Sequence, residues 1–79
     1  MENLEQKAIE MANEFGTINL GCMNGWNKER GDLFDFLREV EIPETTNSRE
    51  LGRCYTQTSF KAKINDKEYT VVYSVDSGD

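Results

Sequence analysis

A chain of 79 residues, 37% of them hydrophobic, with a formal net charge of −6, is close to the smallest size at which one core sustains a fold. The complete absence of histidine, and two cysteines with no CxxC pair, argue against a zinc or other transition-metal site, and no cofactor is expected. No apolar run approaches the roughly 20 residues that cross a bilayer, and the opening "MENLEQKAIE" has charges where a signal peptide needs an apolar stretch. A cytoplasmic protein is therefore expected, with Cys22 and Cys54 as buried free thiols rather than a disulfide.

The negative charge is unevenly placed. Residues 1–16 have a net charge of −3, residues 17–31 of +1, residues 32–50 of −4, and residues 51–79 are neutral. A nucleic-acid binder needs a basic footprint, and this chain lacks one.

In chain order, "NLEQKAIEMANEFG" predicts an amphipathic helix over residues 2–15. Leu4, Ala8, Met11, Ala12 and Phe15 share one stripe, and Gly16 is the terminator. "TINLGCM", residues 17–23, alternates as a short strand with Ile18, Leu20 and Cys22 on one side. The dipeptide Asn24-Gly25 then signals a tight turn, Trp26 begins the return, and "NKERG" is too polar for more than a loop or a short return strand.

"GDLFDFLREVEIPE" admits two assignments. As a helix over residues 32–41, it puts Leu33, Phe36, Leu37 and Val40 on an apolar face, with Asp32 as N-cap and Pro43 ending the run. As a strand, it puts Phe34, Phe36, Val40 and Ile42 on a face interrupted by Arg38. The helix is favoured because it uses the cap and keeps charge off the core. "PETTNSRELG" is a polar connector with at most one turn near Ser48 to Leu51.

The last third is a β-hairpin over residues 54–75: "CYTQTSFKAKI" and "YTVVYSV" have period two and are joined by "NDKE". Pairing Ile64 with Tyr69 places Ala62 opposite Val71 and Phe60 opposite Tyr73, so the apolar side chains share a face and Lys61 and Lys63 project from the other. "DSGD" is expected to fray. Together these elements predict a single α+β domain: an antiparallel sheet of three to four strands with one or two helices on one face. So small a core would gain from a homodimer that shares apolar surface.

Catalytic machinery is not expected. Asp32, Asp35 and Glu39 fall on a solvated helix face rather than in a cleft, Cys22 has no histidine to form its thiolate, and Gly21, Gly25 and Gly31 match neither GxGxxG nor GxxxxGK[ST]. Trp26 serves either as an edge-of-core anchor or as an exposed hot spot for a partner. The acids remain. A charged helix face is usually only solvated, yet carboxylates three or four positions apart have Cβ atoms about 5–6 Å apart. Successive phosphates of a DNA strand are of order 6–7 Å apart. Rows such as Asp35 with Glu39, or Glu10 with Glu14, could thus occupy the lysine and arginine sites of a DNA-binding protein, with salt-sensitive association.

In size, acidity, lack of histidine and acid rows ("IEMANE", "DLFDFLREVEIPE"), the chain resembles the small DNA-mimicking inhibitors encoded by bacteriophages. That class blocks restriction enzymes, uracil-DNA glycosylase, CRISPR effectors and the nucleoid protein HU, and shares a strategy rather than a fold. Its charge is often more extreme, and the neutral hairpin with Lys61, Lys63 and Lys67 confines any mimicry here to the helical side. The resemblance implies a non-enzymatic inhibitor, acting in a host bacterial cytoplasm, that covers the DNA site of a basic protein such as HU. The expected contacts are Asp32, Asp35, Glu39, Glu41 and Glu44, helped by Glu10 and Glu14. Two alternatives stand beside it: an adaptor presenting an exposed sheet face or edge with Trp26, Tyr55 and Tyr73 as anchors, and an antitoxin or immunity protein with a cognate enzyme as target.

Overall fold

The computed structural model describes residues 3–51 and 55–76; Cys54 and the terminal "SGD" lie outside them. Helix α1 (Leu4–Phe15) leads into β1 (Ile18–Cys22), a single 3-10 turn at Met23–Gly25, helix α2 (Lys28–Glu39), and strands β2 (Asn47–Leu51), β3 (Tyr55–Ile64) and β4 (Lys67–Asp76). The four strands form one sheet in the order β1-β4-β3-β2. The α+β architecture is as expected from sequence, but the sheet is mixed: β1 runs parallel to β4, while β4–β3 and β3–β2 are antiparallel.

Both helices bury against one face of the sheet. Ala8 and Ala12 of α1 and Leu33 and Leu37 of α2 join Ile18, Leu20, Phe60, Ala62, Ile64, Val71 and Tyr73 in one core. The alanines suit α1 because they combine the best helix propensity with a small side chain that lets the helix approach closely. Gly16 ends it as expected, but the helix begins at Leu4 rather than residue 2, because Asn3 is its N-cap. Asn3 Oδ1 accepts from the Gln6 N–H, and Gly16 takes φ +80° and donates its N–H to Ala12 O at 2.8 Å, a conformation that costs other residues on the order of 1–2 kcal/mol.

Helix α2 starts four residues before the expected position. Asn27, not Asp32, is the N-cap, its Oδ1 accepting from Arg30 N at 2.9 Å; Asp32 lies inside the helix, and the polar "NKERG" supplies the first turn. Gly31, which disfavours a helix interior by about 1 kcal/mol, masks this in the sequence. Asn27→Ala should therefore destabilise the fold by about 1 kcal/mol, whereas Asp32→Ala should stay within about 0.5 kcal/mol; urea midpoints of the two variants make the comparison. The 3-10 turn also replaces the type I′ turn expected at Asn24-Gly25, since neither residue has positive φ.

Of the anticipated α2 face, Leu33 and Leu37 are buried, and Phe36 and Val40 pack half-buried against the core. Phe34, placed inward only by the strand assignment, joins them through an aromatic cluster. Its ring lies 5.1 Å from Trp26, 5.0 Å from Tyr73 and 6.4 Å from Phe60, centroid to centroid. Apolar residues thus occupy nearly half the helix circumference, with Phe34 and Phe36 at the two edges of the arc, which is why two periodicities competed in the sequence. Trp26 belongs to this cluster and donates Nε1–H to Leu20 O at 2.7 Å, so it is an anchor at the edge of the core.

The hairpin is longer and tighter than "NDKE" suggests. Ile64 pairs with Lys67, Ala62 with Tyr69, Phe60 with Val71 and Thr58 with Tyr73, a shift of two residues from the expected register. A shift of two preserves the buried face. Its cause is the two-residue turn: Asn65 and Asp66 have φ +53° and +63°, the left-handed pair that matches the twist of hairpin strands. Asp66→Gly should raise stability by about 0.5 kcal/mol, because glycine occupies that region without steric cost; a lowered urea midpoint would contradict this assignment.

Strand β2 replaces the expected connector. Asn47 to Glu50 are exposed, so no buried face imposes alternation. Main-chain pairing with β3 and the Ser48–Thr58 hydroxyl bond of 3.1 Å hold the strand. Beyond β2, the chain near Glu41 continues the cover of β3, with Ile42 N–H donating to Lys61 O at 2.8 Å and Lys63 N–H to Val40 O at 3.0 Å. At the opposite edge, β1 is bent by a bulge at Gly21, φ +76°. Its outward Leu20 carbonyl accepts from both Trp26 Nε1 and Arg30 Nη1, which hinders strand addition there.

Candidate anionic surface

On α2, positions 28, 32, 35 and 39 follow spacings of four, three and four residues, which places them in one stripe turned away from Leu33 and Leu37. Asp32, Asp35 and Glu39 are all exposed. Asp32 pairs with Lys28 at 3.0 Å, but the Lys28 side chain is 89% exposed, and a bridge so open to water is worth at most about 1 kcal/mol. Asp35 and Glu39 have no ion-pair partner among the described residues.

The two arginines of α2 are committed elsewhere. Arg30 Nη1 donates to Leu20 O at 3.1 Å and Asn19 O at 3.5 Å. Arg38 lies over the Phe34 and Phe60 rings, 5.7 and 5.8 Å from their centroids, and bridges Glu41 at 3.0 Å. Both therefore point away from the acidic stripe, which is left with Lys28 as its single cation. The helix is nearly balanced in formal charge, but its charges are sorted by face.

Helix α1 contributes a second, shorter row. Glu10 and Glu14 are exposed at i,i+4; Glu10 Oε1 accepts a long bond of 3.4 Å from Gln6 Nε2. The helices belong to the same layer, and an ion pair between Lys7 and Glu29 joins them. The rows on α1 and α2 thus stand on neighbouring helices of the face opposite the sheet.

The two acids beyond α2 behave differently. Glu41 is drawn inward, its side chain 19% exposed, with one oxygen held by Arg38 and the other by Thr46 Oγ1 at 3.0 Å. It fastens the turn and is not available as the expected principal contact. Glu44 is exposed in that turn with φ +66°. The uncovered face of the sheet has the opposite character: Lys61 and Lys63 project from it, with Glu68 4.0 Å from Lys61.

Two of the three aromatic anchors expected of an adaptor are unavailable to a partner. Tyr73 is buried and Trp26 is packed between Phe34 and Tyr73, leaving Tyr55, 46% exposed. A shallow cleft of about 360 Å³ lies beside Leu20, Cys22, Trp26 and Arg30; its thiol faces Asn24 Oδ1 at 3.7 Å, with no general base among the lining residues. Among the described residues, no three acidic or cysteine side chains converge on a metal-sized site. Sequence reasoning did not find the commitment of Arg30 to the Asn19 and Leu20 carbonyls, 11 and 10 residues away, the placement of Arg38 over the Phe34 and Phe60 rings, or the exposure of Phe15.

The fold and surface together define a small α+β protein with charge sorted between its two faces. Compared with known proteins, the chain matches no family model, no curated protein and no solved structure.

Proposed function

We propose that this protein is a non-enzymatic inhibitor that covers the DNA-binding surface of a basic protein by presenting carboxylates in place of phosphates. One observation carries the reading: Asp35 and Glu39, at helical spacing and without an ion-pair partner among the described residues, share a face with Asp32 while both arginines of the same helix are turned away from it. Glu10 and Glu14 extend the surface across the adjacent helix. A basic groove that accepts a phosphate row can accept such a ridge, because long-range charge complementarity guides the encounter and fixes its orientation. A nucleoid protein of the HU type, with a basic saddle, is the kind of target this surface suits.

The helices supply rigidity as well as charge. Carboxylates held on a packed helix lose less freedom on binding than those on a flexible tail, so each contact retains more of its energy. Glu44 is exposed in the turn beyond α2, and Glu41 acts only through the turn it fastens.

Displacement of a labelled DNA duplex from purified HU tests the function directly. At low salt the protein should release the duplex in proportion to its concentration, without binding DNA itself. Unchanged duplex occupancy in the presence of excess protein would contradict inhibition of this target class. The adaptor alternative has less support, since Trp26 and Tyr73 are core residues.

A further inference from the structure

Phe15 ends α1 with 66% of its surface exposed, beside a groove of about 400 Å³ that it lines with Thr17, Asn19, Gly21 and Arg30. A large apolar ring and a recess thus occupy one patch. We propose that a second copy of this chain covers the patch about a two-fold axis, with Phe15 of each copy entering the groove of the other. An isologous contact requires a knob and a hole on the same surface, since each copy must supply both.

Charge on the two halves is complementary. Glu14, next to Phe15, is exposed and has no ion-pair partner among the described residues. Arg30 lines the groove and uses Nη1 toward the Leu20 and Asn19 carbonyls, which leaves further guanidinium donors for the carboxylate of the entering copy. The guanidinium is also a favourable neighbour for an entering phenyl ring, an arrangement the chain already uses where Arg38 lies over Phe34 and Phe60. Space over Gly21 is open, with no atom within 4 Å of where a Cβ would stand. Because the Leu20 carbonyl at the β1 edge is already occupied, side chains rather than a continuous sheet make this contact. A basic partner is the poorer occupant, since Arg30 would repel it.

Magnitude sets the strength of the association. Two phenyl rings bury about 150–250 Å² each, well below the roughly 1,200 Å² of a stable interface even with the groove walls added. The dimer is weak and forms as concentration rises. It does not rest on the anionic function, whose main contacts are on α2.

Sedimentation equilibrium of the full chain from micromolar to millimolar concentration is the test, with circular dichroism confirming that each variant is folded. The weight-average mass of the wild type should climb toward twice that of one chain. Phe15→Ala should remain monomeric throughout, and Glu14→Gln should weaken association several-fold. A wild type that stays monomeric, or a folded Phe15→Ala variant that associates as well as the wild type, overturns the proposal. So does an NMR titration in which octalysine, rather than increasing protein concentration, perturbs Phe15 and Arg30.

Discussion

Replacing Phe60 with alanine should leave the protein largely unfolded near physiological temperature. The ring is 1% exposed, sits at the centre of β3 opposite Val71, and contacts the rings of Phe34 and Tyr73 edge-on at 6.4 Å. Truncating a buried phenylalanine costs about 3–5 kcal/mol, part of it lost transfer energy and part the cavity left behind. A domain of this size has about 4–12 kcal/mol in total, so the loss is a large share of what exists. Arg38 would also lose one of the two faces it covers. Urea denaturation followed by circular dichroism measures the effect, and Tyr55→Ala, on an exposed ring of the same strand, should change stability by less than about 1 kcal/mol. Similar losses for the two variants would show that the aromatic cluster is not the centre of the core.

The second large effect concerns binding. Converting Asp35 to Asn and Glu39 to Gln together should weaken association with HU about 10-fold at low salt, each lost charge contact contributing roughly 0.7 kcal/mol. Stability should be unchanged, because neither carboxylate has a partner within the described chain and amides keep the side-chain volume. Glu68→Gln, on the lysine-bearing face of the sheet, is the matching control and should leave affinity unaffected. Glu41→Gln should act differently again. It should loosen the turn held through Arg38 and Thr46 and so lower stability more than affinity.

Much of this fold is legible in the sequence where one face of an element is buried. The stripe of α1 from Leu4 to Ala12, though not its expected last member Phe15, and the alternation of "SFKAKI" and "YTVVY", each follow from a boundary between core and water. Legibility ends where that boundary is missing. Strand β2 has water on Asn47 through Glu50, so nothing in its pattern separates it from a loop, and its existence depends on pairing with β3. The first turn of α2 is hidden by a polar run and Gly31. The parallel pairing of β1 with β4 joins residues some 50 positions apart and leaves no local trace. The hairpin register is off by two because Asn65 and Asp66 both adopt positive φ, which shortens the loop.

The anionic surface divides along the same line. That Asp35 and Glu39 share a face, and Glu10 and Glu14 another, follows from helical spacing alone. Whether those acids stay unpaired depends on where the arginines go, and that is set largely by tertiary contacts: Leu20 O for Arg30, and the Phe60 ring, beside the local Phe34 ring, for Arg38. Glu41 shows the converse, an acid in the same sequence run that the fold takes for itself.

The central claim is that unpaired carboxylates on α2 stand in for a phosphate row. The salt dependence of HU binding, compared between the wild type and the Asp35→Asn/Glu39→Gln variant, tests it most directly. If the claim holds, wild-type affinity falls more steeply with salt than that of the variant, and the two converge at high ionic strength, where screening removes the difference. Parallel salt dependences with equal affinities would show that these two carboxylates do not meet the partner, and the anionic mimicry would be contradicted.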